Sequence, residues 1–138
     1  RPPRSTQGRT LFPYTTLSEL ATAMQTLGPE ADRMHYVFVT LDPTRDTPQV
    51  MKDYVGAFDS RIIGLTGSEA DVAEAAKSYR IFWEKVPTEN GDYTLNHTAT
   101  VFLMDRQGVL SGALDYGDSA DAVVTKLRRL IEDKSASL

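Results

Sequence analysis

The sequence predicts an α/β domain with three layers, a mixed β-sheet carrying helices on both faces. Two observations carry this. Runs rich in β-branched and aromatic residues alternate with stretches whose apolar residues recur at helical spacing. Near the C-terminus two short apolar runs flank Asp105-Arg106-Gln107-Gly108 and lead into an amphipathic segment, the pattern of an antiparallel hairpin and a closing helix.

Taken in order, residues 1–14 read as a disordered or extraneous stretch, rich at first in Arg, Pro and Ser, and residues 15–138 as the domain. A first helix starts at Thr16, which has capping-box spacing to Glu19; Leu17, Leu20, Met24 and Leu27 line one face, and Gly28-Pro29 stops it. Residues 34–40 (Met-His-Tyr-Val-Phe-Val-Thr) form a buried strand. A helix follows over residues 47–58, with Asp46 as its cap, Pro48 in its first turn and Val50, Met51, Tyr54, Val55 and Phe58 as its apolar stripe. Residues 61–65 make a short strand, and Ser68 caps a helix running to about Tyr79. Residues 81–84 are extended, residues 87–92 a polar loop with an Asn90-Gly91 turn. Residues 99–104 and 109–114 pair as the hairpin, and the last helix spans about 119–132 with Val123, Val124, Leu127, Leu130 and Ile131 inward.

That order fits a thioredoxin-like arrangement, which ends in an antiparallel hairpin and a helix. It also exposes a deficit. Such a sheet needs a central strand just before the first helix, and residues 9–14 supply a poor one, because Pro13 cannot donate to a ladder. The first central strand is therefore expected to be missing or replaced.

Composition excludes several functions. A chain of 138 residues is one domain of ordinary polarity, its net charge of -4 leaves no footprint for nucleic acid, and it has no stretch long enough to span a bilayer. It contains no cysteine, hence no disulfide, thiol nucleophile or thiolate metal site.

From Thr15 to about Glu132 the chain resembles the Sco/SenC family of copper chaperones. The resemblance lies in Thr15-Thr16-Leu17-Ser18-Glu19-Leu20, in the strand running into Leu41-Asp42-Pro43-Thr44-Arg45-Asp46-Thr47-Pro48, in residues 58–67, and in Asn96-His97-Thr98-Ala99 ahead of Val101-Phe102-Leu103-Met104-Asp105. The family implies delivery of copper, as Cu(I) or Cu(II), to the dinuclear centre of cytochrome c oxidase. Its partner would be the copper-bearing oxidase subunit, and its place the periplasmic side of the bacterial inner membrane, tethered by an anchor this chain does not show. It is a metallochaperone rather than an enzyme. A thiol-disulfide oxidoreductase or peroxiredoxin-like activity, open only to a cysteine-containing form, and a metal-free interaction module are the alternatives.

The family site joins a Cys-x-x-x-Cys motif, just before Thr-Thr-Leu, to one histidine. Soft thiolates favour Cu(I), and imidazole suits copper in either state. His97 matches the histidine, and Leu11-Phe12-Pro13-Tyr14 stands where the cysteine motif belongs. With both cysteines absent, the chain is expected to hold copper weakly or not at all. Residues 11–17 also match the translation of a short-read library adapter, CTC TTT CCC TAC ACG ACG CTC, so a chimera joined at Thr15-Thr16-Leu17 accounts for the lost strand and motif together.

The loop near this site offers Asp42, Arg45 and Asp46. An acid pair for Mg²⁺ or an aspartyl phosphoacceptor are chemical alternatives, but the phosphatase-like pattern wants an acid where Thr44 stands. A structural reading is preferred: Asp46 caps the helix, and Arg45 pairs with a carboxylate or with backbone carbonyls.

Overall fold

A computed structural model describes residues 12–97, 100–115 and 117–133; for Phe12 to Thr15, Asn96 and His97 it describes the backbone alone. The chain forms two compact units, one built around His35–Thr98 and the other from Thr15–Met34 with Ala99–Leu138.

Helix α1 spans Phe12–Leu27 and so starts ahead of the expected Thr16. Thr16 lies inside it and is not its cap. The reason is Pro13, whose missing N–H costs nothing in a first helical turn, where no intrahelical partner exists. Residues 1–11, where a strand ahead of α1 would lie, are outside the described residues. Gly28, with φ +59°, ends it and opens a 3-10 turn, Gly28–Arg33.

In the first unit, β1 (Tyr36–Val39) is followed by α2 (Pro48–Gly56) and β2 (Ile62–Leu65). The strands are parallel, with Tyr36 opposite Ile62 and Val39 opposite Leu65, and Thr40 N–H extends the ladder to Leu65 O at 3.1 Å. One face is covered by α2, where Met51, Tyr54 and Val55 are buried, and Tyr54 stacks edge-on with Phe58. The other face presents Val37, Val39, Ile63 and Leu65, all exposed.

The cap of α2 differs from expectation. Thr47, not Asp46, is the N-cap, its hydroxyl accepting from Val50 N–H at 3.3 Å. Asp46 is instead buried and accepts from the Thr40 hydroxyl at 2.5 Å. Between α2 and β2, Asp59 takes three bonds from Arg61, from its N–H and Nε to Oδ1 and from Nη2 to Oδ2, at 2.9–3.0 Å. These side-chain bonds hold the Asp59 carboxyl below the ordinary carboxylate range.

Helix α3 (Glu69–Ser78) is capped by Ser68, whose hydroxyl accepts from Asp71 N–H at 3.0 Å. It closes with Arg80 in the left-handed region (φ 56°), as Arg80 N–H reaches Lys77 O and Ile81 N–H reaches Ala76 O. The extended segment expected over residues 81–84 and the Asn90-Gly91 turn are parts of one antiparallel hairpin, β3 (Trp83–Pro87) and β4 (Tyr93–His97), with Gly91 in its turn at φ +72°; the pairing of the two strands was not expected. Trp83 stands opposite His97 in its register.

In the second unit, β5 (Val101–Met104) and β6 (Leu110–Leu114) make the C-terminal hairpin, turned at Gly108 and irregular at Leu103/Met104. Helix α4 (Ala120–Glu132) follows, capped by Ser119, with Val123, Val124, Leu127 and Ile131 buried. Leu17, Leu20, Met24 and Leu27 of α1 are buried as well. Lys126 donates to Asp118 at 2.8 Å, to Asp115 at 3.3 Å and to Ala113 O at 3.1 Å, closing the turn before α4. Its bond to Asp118 raises the Lys126 pKa and lowers that of Asp118. Among the described residues the strands pair two by two, one parallel and two antiparallel pairs.

Candidate functional site

The β1–α2 loop is built around two buried carboxylates. Asp42 lies three residues beyond the end of β1, and its N–H donates to the Thr40 hydroxyl at 2.8 Å. Its carbonyl accepts from the N–H groups of Arg45 at 3.2 Å and Asp46 at 2.9 Å, which winds the loop into a tight turn. Thr40 thus joins both acids, accepting from one backbone and donating to the other side chain. Satisfying each buried oxygen this way matters, because an unpaired buried carboxylate carries a large desolvation cost.

The Asp42 carboxylate faces the β3–β4 hairpin. Tyr93, the first residue of β4, donates its hydroxyl to that carboxylate, 2.9 Å from each oxygen, and Thr44 donates to Oδ1 at 2.9 Å. Arg45 completes the junction. Its Nη1 donates to Tyr93 O at 3.0 Å, its Nη2 bonds Asp92, and its Nε lies 3.5 Å from Asp42 Oδ2. The guanidinium carbon sits 3.5 Å above the centre of the Tyr93 ring. Arg45 therefore pairs with carboxylates and with a backbone carbonyl at once, a use that its planar fork permits and an ammonium would not.

The structure brings Asp42 and Arg45 together in one network and places Asp46 beside it through Thr40. These acids serve the protein's own hydroxyls and amides, which leaves little of the open acid pair that Mg²⁺ or phosphoryl chemistry would need. Sequence reasoning missed Asp92 and Tyr93. Their signal was the Asn90-Gly91 turn flanked by Trp83-Glu84-Lys85-Val86 and Tyr93-Thr94-Leu95, which together spell a hairpin.

His97 is the last residue of β4, and its side chain lies outside what is described. Residues 1–11, which include Leu11 where the cysteine motif was expected, also lie outside the described residues. The chain has no cysteine, and among the described residues no group of three or more His, Asp or Glu side chains is placed to hold a metal ion. The described side chains by themselves do not make a copper site. Nor, among the described residues, is any helix long and apolar enough to cross a membrane.

Comparison with known proteins decides the family, because the SCO1/SenC model matches residues 13–132. The chain belongs to the SCO1/SenC family. Among solved Sco structures, Bradyrhizobium japonicum ScoI with copper bound is 38% identical, with a TM-score of 0.78, covering 85% of this chain and 74% of that one. Yeast Sco1 with copper bound is 30% identical, also with a TM-score of 0.78, covering 88% and 69%. The thioredoxin-like α/β fold of this Sco chain rests on those likenesses. The mouse mitochondrial SCO2 homolog is 35% identical over 104 residues, which are 75% of this chain and 41% of that protein. The Rickettsia prowazekii SCO2-like protein is 31% identical over 96 residues, 68% and 47%. The chain thus spans less than half the length of these two Sco relatives.

Proposed function

We propose that this chain is a Sco-type copper-chaperone domain serving the dinuclear copper site of cytochrome c oxidase, in a form whose own copper capacity rests on His97. The observation that supports it is the family match over residues 13–132, with copper-bound Sco structures among its neighbours. Copper here is cargo. A single imidazole is a poor holder of Cu(I), which prefers thiolates, so the chain as it stands binds copper weakly. By the same family reasoning it works at the periplasmic face of a bacterial inner membrane, against the copper-bearing oxidase subunit, as a carrier rather than an enzyme.

Residues 1–14 belong to this reading as a foreign join upstream of the domain at Thr15. Long-read sequencing of the source DNA tests the join directly: codons for a strand and Cys-x-x-x-Cys ahead of Thr15 establish it, and codons for Leu11 to Tyr14 as printed abolish it.

Copper competition against a Cu(I)-specific chelator tests the function. The chain should lose Cu(I) to the chelator, whereas a form with Cys-x-x-x-Cys restored ahead of Thr15 should retain it, and His97→Ala in that form should weaken retention. A restored form that binds no tighter than the chain itself removes the copper reading. What then stands is a metal-free module, whose affinity for the oxidase subunit is indifferent to chelator.

A further inference from the structure

The hairpin β3–β4 has little apolar anchorage along its first strand. Lys85, Val86 and Pro87 are exposed, and neither strand pairs with any other among the described residues. A two-stranded hairpin is marginal by itself in water. The bonds that reach it from the β1–α2 loop are polar and converge on its turn end: the Tyr93 hydroxyl on Asp42, and Arg45 on Tyr93 O, on Asp92 and on the Tyr93 ring.

We infer that the Asp42–Arg45–Tyr93 clasp fixes the β3–β4 hairpin against the β1–α2 loop, making these three positioning residues for His97. The functional meaning, though not the structural part, rests on the reading of His97 as a copper ligand. Two features carry the inference. The clasp holds one end of β4 and His97 is the other end, four residues on, or about 13 Å along a strand. A rigid two-stranded ladder passes the orientation of Tyr93 to His97, which pairs in register with Trp83. The loop end is itself immobilised, since Asp42 is tied to Thr40 and, through its carbonyl, to the turn that starts α2. A loop that is bonded inwardly and a hairpin that is bonded to it make one rigid body from segments about fifty residues apart.

The arginine is specific to the task. It makes a carbonyl bond, a carboxylate bond and a ring contact simultaneously, which lysine cannot do. Lys85 offers a built-in contrast. Its Nζ also lies over the Tyr93 ring, at 4.8 Å, but both residues belong to the hairpin, so this contact ties it to no other segment.

Amide hydrogen exchange by NMR on the chain as it stands tests this. Tyr93→Phe, which removes only the hydroxyl, and Arg45→Lys should each speed exchange of the β3–β4 ladder amides about tenfold, as loss of a bond to a charged group predicts. The β1–β2 ladder should be unaffected, and Lys85→Ala should change neither. Equal acceleration in both ladders would mean general destabilisation and would overturn the inference, as would unchanged exchange in the hairpin. Paramagnetic broadening by added Cu²⁺ supplies the functional arm: the His97 ring should broaden in the parent chain and less in the clasp variants. If His97→Ala takes up Cu²⁺ as the parent does, the ligand reading fails, while the exchange data still decide the clasp.

Discussion

Gly64 of β2 lies directly under Met51 of α2: a Cβ at position 64 would meet Met51 Cβ at 3.0 Å and Met51 O at 3.2 Å. The glycine is what lets the helix backbone approach the parallel strand pair, and Met51, 1% exposed, fills the space beside it. Gly64→Ala should destabilise by about 1–3 kcal/mol, because a helix backbone cannot shift as a flexible side chain can. Gly56, the last residue of the same helix, would meet nothing within 4 Å and has no positive φ, so Gly56→Ala should be neutral or stabilising by up to about 1 kcal/mol. Urea midpoints of the two variants should move in opposite directions.

The end of α3 stores a small strain. Arg80 holds φ 56° so that Ile81 N–H can bond Ala76 O at 2.7 Å, a position where glycine is the usual occupant. A side chain in the left-handed region costs about 1–2 kcal/mol. Arg80→Gly should recover part of this, offset by the greater entropy that glycine has in the unfolded chain, for a net gain below about 1 kcal/mol. Thermal melts suffice, and a lower midpoint would mean that the arginine side chain contributes contacts outweighing the backbone term.

The elements easiest to read were those whose signals are local. Ser68 announced its helix through a side chain that reaches only three residues ahead, and Asp105-Arg106-Gln107-Gly108 announced its hairpin. The start of α1 was misread because a capping-box spacing at Thr16 and Glu19 occurs inside a helix as readily as at its end. The cap of α2 went to Thr47 rather than Asp46 for a tertiary reason: Thr40, six residues earlier, engages the Asp46 carboxylate. Asp42 and Arg45 were visible as a polar loop, but their partners Asp92 and Tyr93 were not, since nothing in the local pattern says which strand a loop will face. The family resemblance supplied His97, which neither periodicity nor spacing singles out.

Two ion pairs contribute to stability at the acid and alkaline ends with opposite signs. Asp59 is bonded by Arg61 and Asp118 by Lys126, and both carboxyls titrate below their unfolded value of about 3.9. A depressed folded pKa means that the unfolded chain binds the proton first as pH falls. Their stabilisation is therefore complete above the unfolded value and is lost as pH falls through the folded one. Lys126 runs the other way: its pKa is raised by the bond to Asp118, so its contribution is complete below the unfolded value of about 10.4 and disappears as pH rises through the folded one. Asp59→Asn should flatten the acid limb in part and leave the alkaline limb intact, because Arg61 stays charged throughout. Asp118→Asn should flatten both, since it removes the carboxylate that lowers one pKa and raises the other. Asp59 is the better shielded acid, its side chain 9% exposed against 18% for Asp118, so its share of the acid limb should resist added salt more. Urea midpoints at pH 3, 7 and 11, with and without salt, separate the two, and an Asp59→Asn variant as acid-sensitive as the parent would remove Arg61 from the account.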